Sequence, residues 1–222
     1  MGTNTSGLPL PAGEELKVDV DGTPLSFDHP EILFEKHLKE ADFISAGWRD
    51  HSGQLLHQRD VLCVRAGYCV VVDYLYGTGE HAVVRSFAFP EGEVTLGDHS
   101  ARAELKGGLS MEVQALDSLS KIEHSPGTAT VLLKNTKQAP APIPTVLIAW
   151  RGTTTPKVES IKPHNPMIVK LNITFPDGSM DELALAWESR PLHLGGKELK
   201  GRAACVRHHK DGVGDPDFFE VK

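Results

Sequence analysis

The residues best suited to chemistry in this 222-residue chain are a histidine and an arginine two positions apart, His57 and Arg59. Alternate side chains of a β-strand leave the same face, so the two would project together. A guanidinium donates paired hydrogen bonds to a carboxylate, which suits binding of a carboxylate-bearing ligand. The alternative is that Arg59 forms a buried or half-buried ion pair with Asp73 on a neighbouring strand, and we favour this structural role.

A second histidine, His81, follows a glycine-containing turn at the start of a predicted strand. A histidine in such a place could contact a ligand or act as a general base near neutral pH. Proton abstraction beside a carboxylate would also require an acid and a group that neutralises the carboxylate. One histidine does not supply these, so no catalytic residue is predicted. For the three tyrosines we predict packing roles: Tyr68, Tyr74 and Tyr76.

The three tryptophans differ in their sequence context. Trp48 lies in a polar segment beside Arg49, whereas Trp150 and Trp187 each end an apolar run. Sugar rings pack on aromatic faces, so Trp48 with Arg49 is our first choice for a carbohydrate contact. Trp150 and Trp187 are predicted to lie in the core.

The cysteines and histidines show no metal-binding spacing. Cys63 and Cys69 lie inside apolar strands and are predicted to be small buried hydrophobic residues, the alternatives being a disulfide or a reactive thiol. Cys205 makes the set odd. Adjacent His208 and His209 would point to opposite faces of a strand. We predict no metal and no cofactor.

The segment that must position His57, Arg59 and His81 is rich in strand signals. Residues 60–64, 68–76 (YCVVVDYLY) and 81–89 are dense in apolar, β-branched and aromatic residues, and glycine turns separate them. Pro90 cannot donate to a ladder and ends the third run. This pattern predicts an antiparallel meander.

The rest of the chain continues with short strands at regular intervals. Residues 110–116 and 167–175 alternate apolar and polar side chains, and residues 145–150 form a continuous apolar run. The sequence predicts an all-β fold, a large two-layer antiparallel β-sandwich of roughly a dozen strands. The predicted domain spans 17–210, between a flexible lead-in at 1–16 and a flexible acidic tail at 211–222.

The spacing of these motifs resembles a known family. His57-x-Arg59, then a strand, then GYCVVVD at 67–73, then GTGEH at 77–81 is similar to the C-terminal β-domain of heparinase II/III-like polysaccharide lyases. The likeness is strongest over residues 43–94, although Cys69 stands where the family usually has Trp. In that family catalysis also uses an N-terminal helical toroid and upstream His-x-His and His-Asn-Thr segments, including the zinc ligands. This sequence shows none of these, so no family-type zinc is expected.

Charge and hydropathy narrow the function further. The formal net charge of −7 argues against nucleic acid, and no run of 18 apolar residues predicts a membrane helix. Residues 1–13 do not resemble a secretory signal; the compartment is unknown, although the family would suggest a periplasmic or secreted fragment. We predict a structural or carbohydrate-contacting module that binds an acidic polysaccharide through Trp48, Arg49, His57, Arg59 and His81. The alternatives are part of an active lyase, completed by a helical toroid domain or chain, and a free-standing carbohydrate-binding jelly-roll protein.

Overall fold

The computed structural model describes residues 16–20, 23–25, 31–49, 53–89, 93–117, 120–124, 129–210 and 216–222. Within these ranges every regular element is a β-strand and every pairing is antiparallel, which confirms the all-β prediction. In chain order the strands are β1 (Leu16–Val20), β2 (Thr23–Leu25), β3 (Glu31–His37), β4 (Ala41–Arg49), β5 (Leu56–Val64), β6 (Tyr68–Tyr76), β7 (Glu80–Ala88), β8 (Val94–Leu96), β9 (Ser100–Leu105), β10 (Leu109–Ala115), β11 (Lys121–His124), β12 (Thr130–Gln138), β13 (Ala141–Arg151), β14 (Lys157–Ile161), β15 (Ile168–Thr174), β16 (Met180–Leu194), β17 (Lys197–His208) and β18 (Asp217–Val221).

The strands form three sheets. The central sheet has eight strands in the order β3-β4-β5-β6-β13-β10-β9-β8. One five-stranded sheet, the β7 sheet, has the order β11-β12-β7-β1-β2, and the other, the β16 sheet, has the order β14-β15-β16-β17-β18. The sandwich-like fold is confirmed, and its strand count exceeds the dozen expected.

The central sheet is covered on both faces. Alternate residues of β6, such as Val70 and Tyr74, pack in one apolar cluster with Leu183 of the β16 sheet. The intervening residues, such as Val71, pack in a second cluster with Phe87 of the β7 sheet. A strand buried on both faces must be apolar on both, which explains why YCVVVDYLY is apolar or aromatic at every position except Asp73. The sandwich therefore has three layers, one more than the sequence predicted.

The predicted meander is wrong in its third strand. β5 and β6 form the expected hairpin, but the other neighbour of β6 is β13, while β7 pairs with β12 and β1 in another sheet. The chain crosses between the sheets at the glycine turn, where Gly77 and Gly79 have positive φ. Leu75 in β6 and Val83 in β7, on either side of the turn, belong to one small apolar cluster between the two sheets.

The hairpin predicted from residues 167–175 and 181–187 is present as β15 and β16, joined by a turn at Gly178, which has a φ of 89°. β18 lies inside the segment 211–222 that was predicted to be a flexible tail, and residues 217–221 instead pair with β17. Of the predicted lead-in at 1–16, residues 1–15 lie outside the described residues, and β1 begins at Leu16.

Candidate functional site

A buried carboxylate, Asp73, organises the residues that the sequence marked out for chemistry. Arg59 lies directly opposite Asp73 in the β5–β6 ladder. Its Nε donates to Asp73 Oδ1 at 2.7 Å and its Nη2 to Oδ2 at 3.0 Å. His57 Nε2 lies 2.6 Å from the same Oδ1, so a neutral ring with its proton on Nε2 fits the contact. The predicted ion pair between Arg59 and Asp73 is therefore present.

A third cation joins this cluster from the β7 sheet. Arg85 is fully buried, and its Nη1 lies 3.6 Å from Asp73 Oδ2. Its other partners include the Thr145 hydroxyl, the Ile143 carbonyl at 3.3 Å and Asn135 Oδ1 at 3.0 Å. The guanidinium thus connects the β7 sheet to the central sheet through hydrogen bonds to Thr145 and Ile143 and the ion pair with Asp73.

The electrostatics of this cluster fix its protonation. Burial alone would raise the pKa of the Asp73 carboxyl, but the Arg59 guanidinium and the His57 hydrogen bond outweigh burial and hold that pKa well below its usual range. Burial also lowers the pKa of His57, although the hydrogen bond to Asp73 opposes this. At neutral pH the cluster therefore holds an ionised Asp73 and a neutral His57. Arg59 and His57 are both buried and engaged with Asp73.

Trp48 connects the buried cluster to the surface. It lies opposite His57 in the β4–β5 ladder, and the two rings stack with centroids 4.8 Å apart and planes at 22°. Trp48 is half-buried and its neighbour Arg49 is exposed. Asp73 therefore fixes the His57 ring, and that ring supports one face of Trp48.

A groove of about 460 Å³ lies beside Trp48. It lies where β3 and β5 begin and where β4 and β6 end. Among the described residues, its lining includes Trp48, Tyr76 and Trp187, with the Tyr76 and Trp187 centroids 5.2 Å apart, and the buried His57 behind Trp48. The charged side chains on its lining are the exposed Glu31 and Arg49. Strand alternation places Trp48 and Tyr76 on opposite faces of the central sheet, so the groove runs around the strand ends.

Trp187 was predicted to be a core residue, and this is only half right. It packs against the main apolar cluster, but it is half-buried and lines the groove, whereas Trp150 is buried as predicted. The pairing of β16 with β17 is interrupted between Leu185 and Arg190. Such irregularities re-aim side chains beside functional sites. The sequence signal is the change after Trp187 from an apolar run to Glu-Ser-Arg-Pro.

His81 does not join the groove. It lies on the inner face of β7 with Val83 and is 3% exposed. Neither of its ring nitrogens has a hydrogen-bond partner among the described residues. The expectation that His81 stands at an open strand mouth is corrected, because the turn before it carries the chain into the interior between two sheets.

The cysteine prediction also changes. Cys63 and Cys69 are buried as expected, but they are joined by a disulfide between directly paired residues of β5 and β6, with Cα atoms 4.1 Å apart. Cys205 is a buried free thiol.

Within the described ranges, no three His, Cys, Asp or Glu side chains converge as metal ligands would. In that same part of the chain, no helix is long and apolar enough to cross a membrane.

Comparison with known proteins adds to this geometry. No family model and no curated protein matches the sequence. Solved structures do match: heparan sulfate lyase HepC from Pedobacter heparinus has a TM-score of 0.58 at 12% identity over 82% of this chain. The chain shares its fold with part of heparinase III. A structure titled "Crystal Structure of Heparinase III" gives 0.54 at 14% identity over 75% of this chain, and a "Heparinase III-BT4657 gene product" gives 0.55 at 15% over 71%. The chain spans only 28% to 29% of the length of these heparinase III chains.

Proposed function

We propose that this chain is the β-sandwich domain of a heparinase II/III-like polysaccharide lyase and that it contacts an acidic polysaccharide through the aromatic groove. The observation that carries the proposal is the groove itself, which runs around the strand ends and is lined by Trp48, Tyr76 and Trp187. The fold shared with heparinase III supports the same conclusion.

The groove has the chemistry of a sugar site. The faces of pyranose rings are apolar and pack on aromatic rings, for which Trp48 and Trp187 are available. Arg49 is exposed beside them and can meet a uronate carboxylate. Trp48 is held from behind by His57, so binding does not have to order it first. His57 and Arg59 therefore act as supports for the contact, and not as the contact.

Catalysis would require groups from elsewhere in a longer protein or from a partner chain. A lyase needs a base that reaches the proton beside the carboxylate. His57 is buried beneath Trp48 and bonded to Asp73, and His81 lies in the interior. A helical toroid domain or chain would supply the missing groups, as in the family that the sequence resembles. The short share of the heparinase III chains that this chain covers favours this second, enzymatic role.

Isothermal titration of the purified chain with heparin, chondroitin and alginate oligosaccharides tests the binding role. We expect heat with at least one of them and a loss of affinity of about tenfold in Trp187→Ala and in Trp48→Ala, equivalent to about 1.4 kcal/mol. Phe218→Ala is the matched control, because Phe218 is exposed and lines a different pocket. The proposal would be contradicted if none of the three oligosaccharides gave heat, or if Phe218→Ala lost as much affinity as the two Trp variants.

The proposal that the catalytic groups come from another domain or chain is tested separately, by ultraviolet absorbance of the unsaturated product. The chain alone should release none from the same polymers. Product release by the pure chain would show that its own residues suffice for elimination.

A further inference from the structure

A second buried carboxylate, Asp60, lies beneath the other side of the groove. It is fully buried in β5 and faces the β16 sheet. Gln58 Nε2 donates to Asp60 Oδ1 at 2.9 Å, and Arg202 Nη2 lies 3.5 Å from the same oxygen. Both donors also reach the Trp187 backbone carbonyl, Gln58 at 3.2 Å and Arg202 at 2.8 Å. Asp60 thus contacts both of the side chains, Gln58 and Arg202, that donate hydrogen bonds to the Trp187 carbonyl.

These contacts matter because the residues of β16 around Trp187 are not paired with β17. The pairing is interrupted between Leu185 and Arg190, so Trp187 has no partner residue on β17. The position of its side chain in the groove therefore depends on the two hydrogen bonds to its carbonyl and on packing against Tyr76.

We propose that Asp60 is a positioning residue that holds Trp187 in the groove when ionised and releases it when protonated, so that the groove binds less well in mild acid. The effect on ligand binding rests on the function proposed above, whereas the movement of Trp187 does not.

The surroundings of Asp60 support a proton-dependent role. Burial raises the pKa of Asp60 to about 6, although Arg202 and the hydrogen bonds from Ser45 and Gln58 oppose this. Asp60 Oδ2 is buried and has no hydrogen-bond partner among the described residues, so it is the oxygen able to take the proton. Loss of the charge removes the attraction that gathers Arg202 and Gln58.

The other charged or titratable groups around Asp60 stay unchanged near this pH or lie further out. Burial raises the pKa values of Tyr74 and Tyr76 on β6, so both stay neutral. Asp73, across the central sheet, stays ionised. On the β16 sheet the neighbouring charged groups are Arg202, Arg190 and the exposed Glu188, which pairs with Arg190.

Fluorine NMR of the fluorotryptophan-labelled chain without ligand tests the movement directly. Single Trp→Phe variants assign the three signals. In the wild type the Trp187 signal should shift between about pH 7.5 and about pH 5 with a midpoint near 6, while the signal of buried Trp150 stays fixed. In Asp60→Asn the Trp187 signal should stay at the acid position throughout. A Trp187 signal that titrates equally in Asp60→Asn, or not at all in the wild type, would overturn the proposal.

Two further variants separate this role from general damage to the fold. Asp181→Asn removes another fully buried carboxylate, which pairs with Arg207 and Tyr68, and should leave the Trp187 titration intact. Gln58→Leu removes a hydrogen bond that favours the ionised form of Asp60 and should move the midpoint above that of the wild type. An unmoved midpoint in Gln58→Leu would count against the proposal even if Asp60→Asn did not fold.

Binding provides the second readout. Affinity for a chondroitin oligosaccharide, whose carboxylates stay ionised in this range, should fall about threefold or more from about pH 7.5 to about pH 5 in the wild type and stay flat in Asp60→Asn. Binding with no change across this range overturns the proposal and leaves the groove function standing. A Trp187 titration without any binding supports the positioning role and removes the carbohydrate function.

Discussion

Replacing Asp73 by Asn should destabilise the protein severely while leaving its volume almost unchanged. The carboxylate is fully buried and receives three hydrogen bonds, two from Arg59 and one from His57, with Arg85 at 3.6 Å. Asparagine removes the charge and retains one acceptor oxygen. Two guanidinium groups, one of them fully buried, would then lack their common counter-ion.

The size of the effect follows from that geometry. Breaking a buried ion pair by removing one partner costs about 3–5 kcal/mol, because the remaining charge stays buried without compensation. For a chain of this length the same loss lowers Tm by about 6–20 °C. The sign with pH is also fixed. The pKa of Asp73 is depressed in the folded state, so its contribution is complete above the unfolded value near 4 and is lost as pH falls below it.

Chemical denaturation followed by circular dichroism measures this loss. Glu123→Gln is the control, because it breaks an exposed cross-strand pair with Lys134 and should cost less than about 1 kcal/mol. The near-ultraviolet signal of Trp48 should also change in Asp73→Asn, because His57 would lose its anchor. A loss below about 1 kcal/mol at neutral pH would refute the view that Asp73 carries the cluster.

Three other expectations concern the disulfide, the last strand and Asp60. Non-reducing peptide mapping should recover Cys63 linked to Cys69, and reduction should cost about 2 kcal/mol because the closed loop is short; three titratable thiols in the unfolded, unreduced chain would contradict this. Gly201→Ala should cost about 1–3 kcal/mol and expose β18 to proteolysis, since the added Cβ would meet the β18 backbone at Val221. Gly97→Ala, whose Cβ meets only the side chain and carbonyl of Ser100, should cost less, and equal losses in unfolding free energy would refute the clash. Asp60 has a pKa raised from 3.8 to about 6, so its protonated form adds stability that is complete below about pH 4 and is lost as pH rises through 6. Between neutral pH and about pH 4, the unfolding free energy of the wild type should therefore rise by about 3 kcal/mol relative to that of Asp60→Asn, and a difference that stays constant would refute this.

Local pattern was enough to predict most strands. Residues 68–76 form β6 with the predicted bounds, and the alternating runs at 110–116 and 167–175 correspond to β10 and β15. The pairing of Arg59 with Asp73 was also predicted correctly, because a hairpin with a short turn fixes which residues lie opposite each other. These features depend on neighbours in the sequence.

The features that were missed depend on distant parts of the chain. An apolar run such as 81–89 has the same appearance whether it pairs with β6 or crosses to another sheet, so neither the third layer nor the interior position of His81 could be predicted. Trp187 enters the groove because β16 loses its register with β17 and because Gln58, 129 residues away, holds its carbonyl. No local signal encodes that contact.

The two buried carboxylates show how the central sheet combines stability with a binding surface. Asp73 is fully compensated, and its depressed pKa means that its ionised form stabilises the fold. Asp60 has a raised pKa, so keeping it ionised at neutral pH costs stability. An apolar residue in its place would pack at lower cost but would leave the Arg202 charge without a counter-ion and the Trp187 carbonyl less firmly held. Asp60 lies directly beneath the groove, and a buried charge that costs stability is expected where it positions a functional side chain.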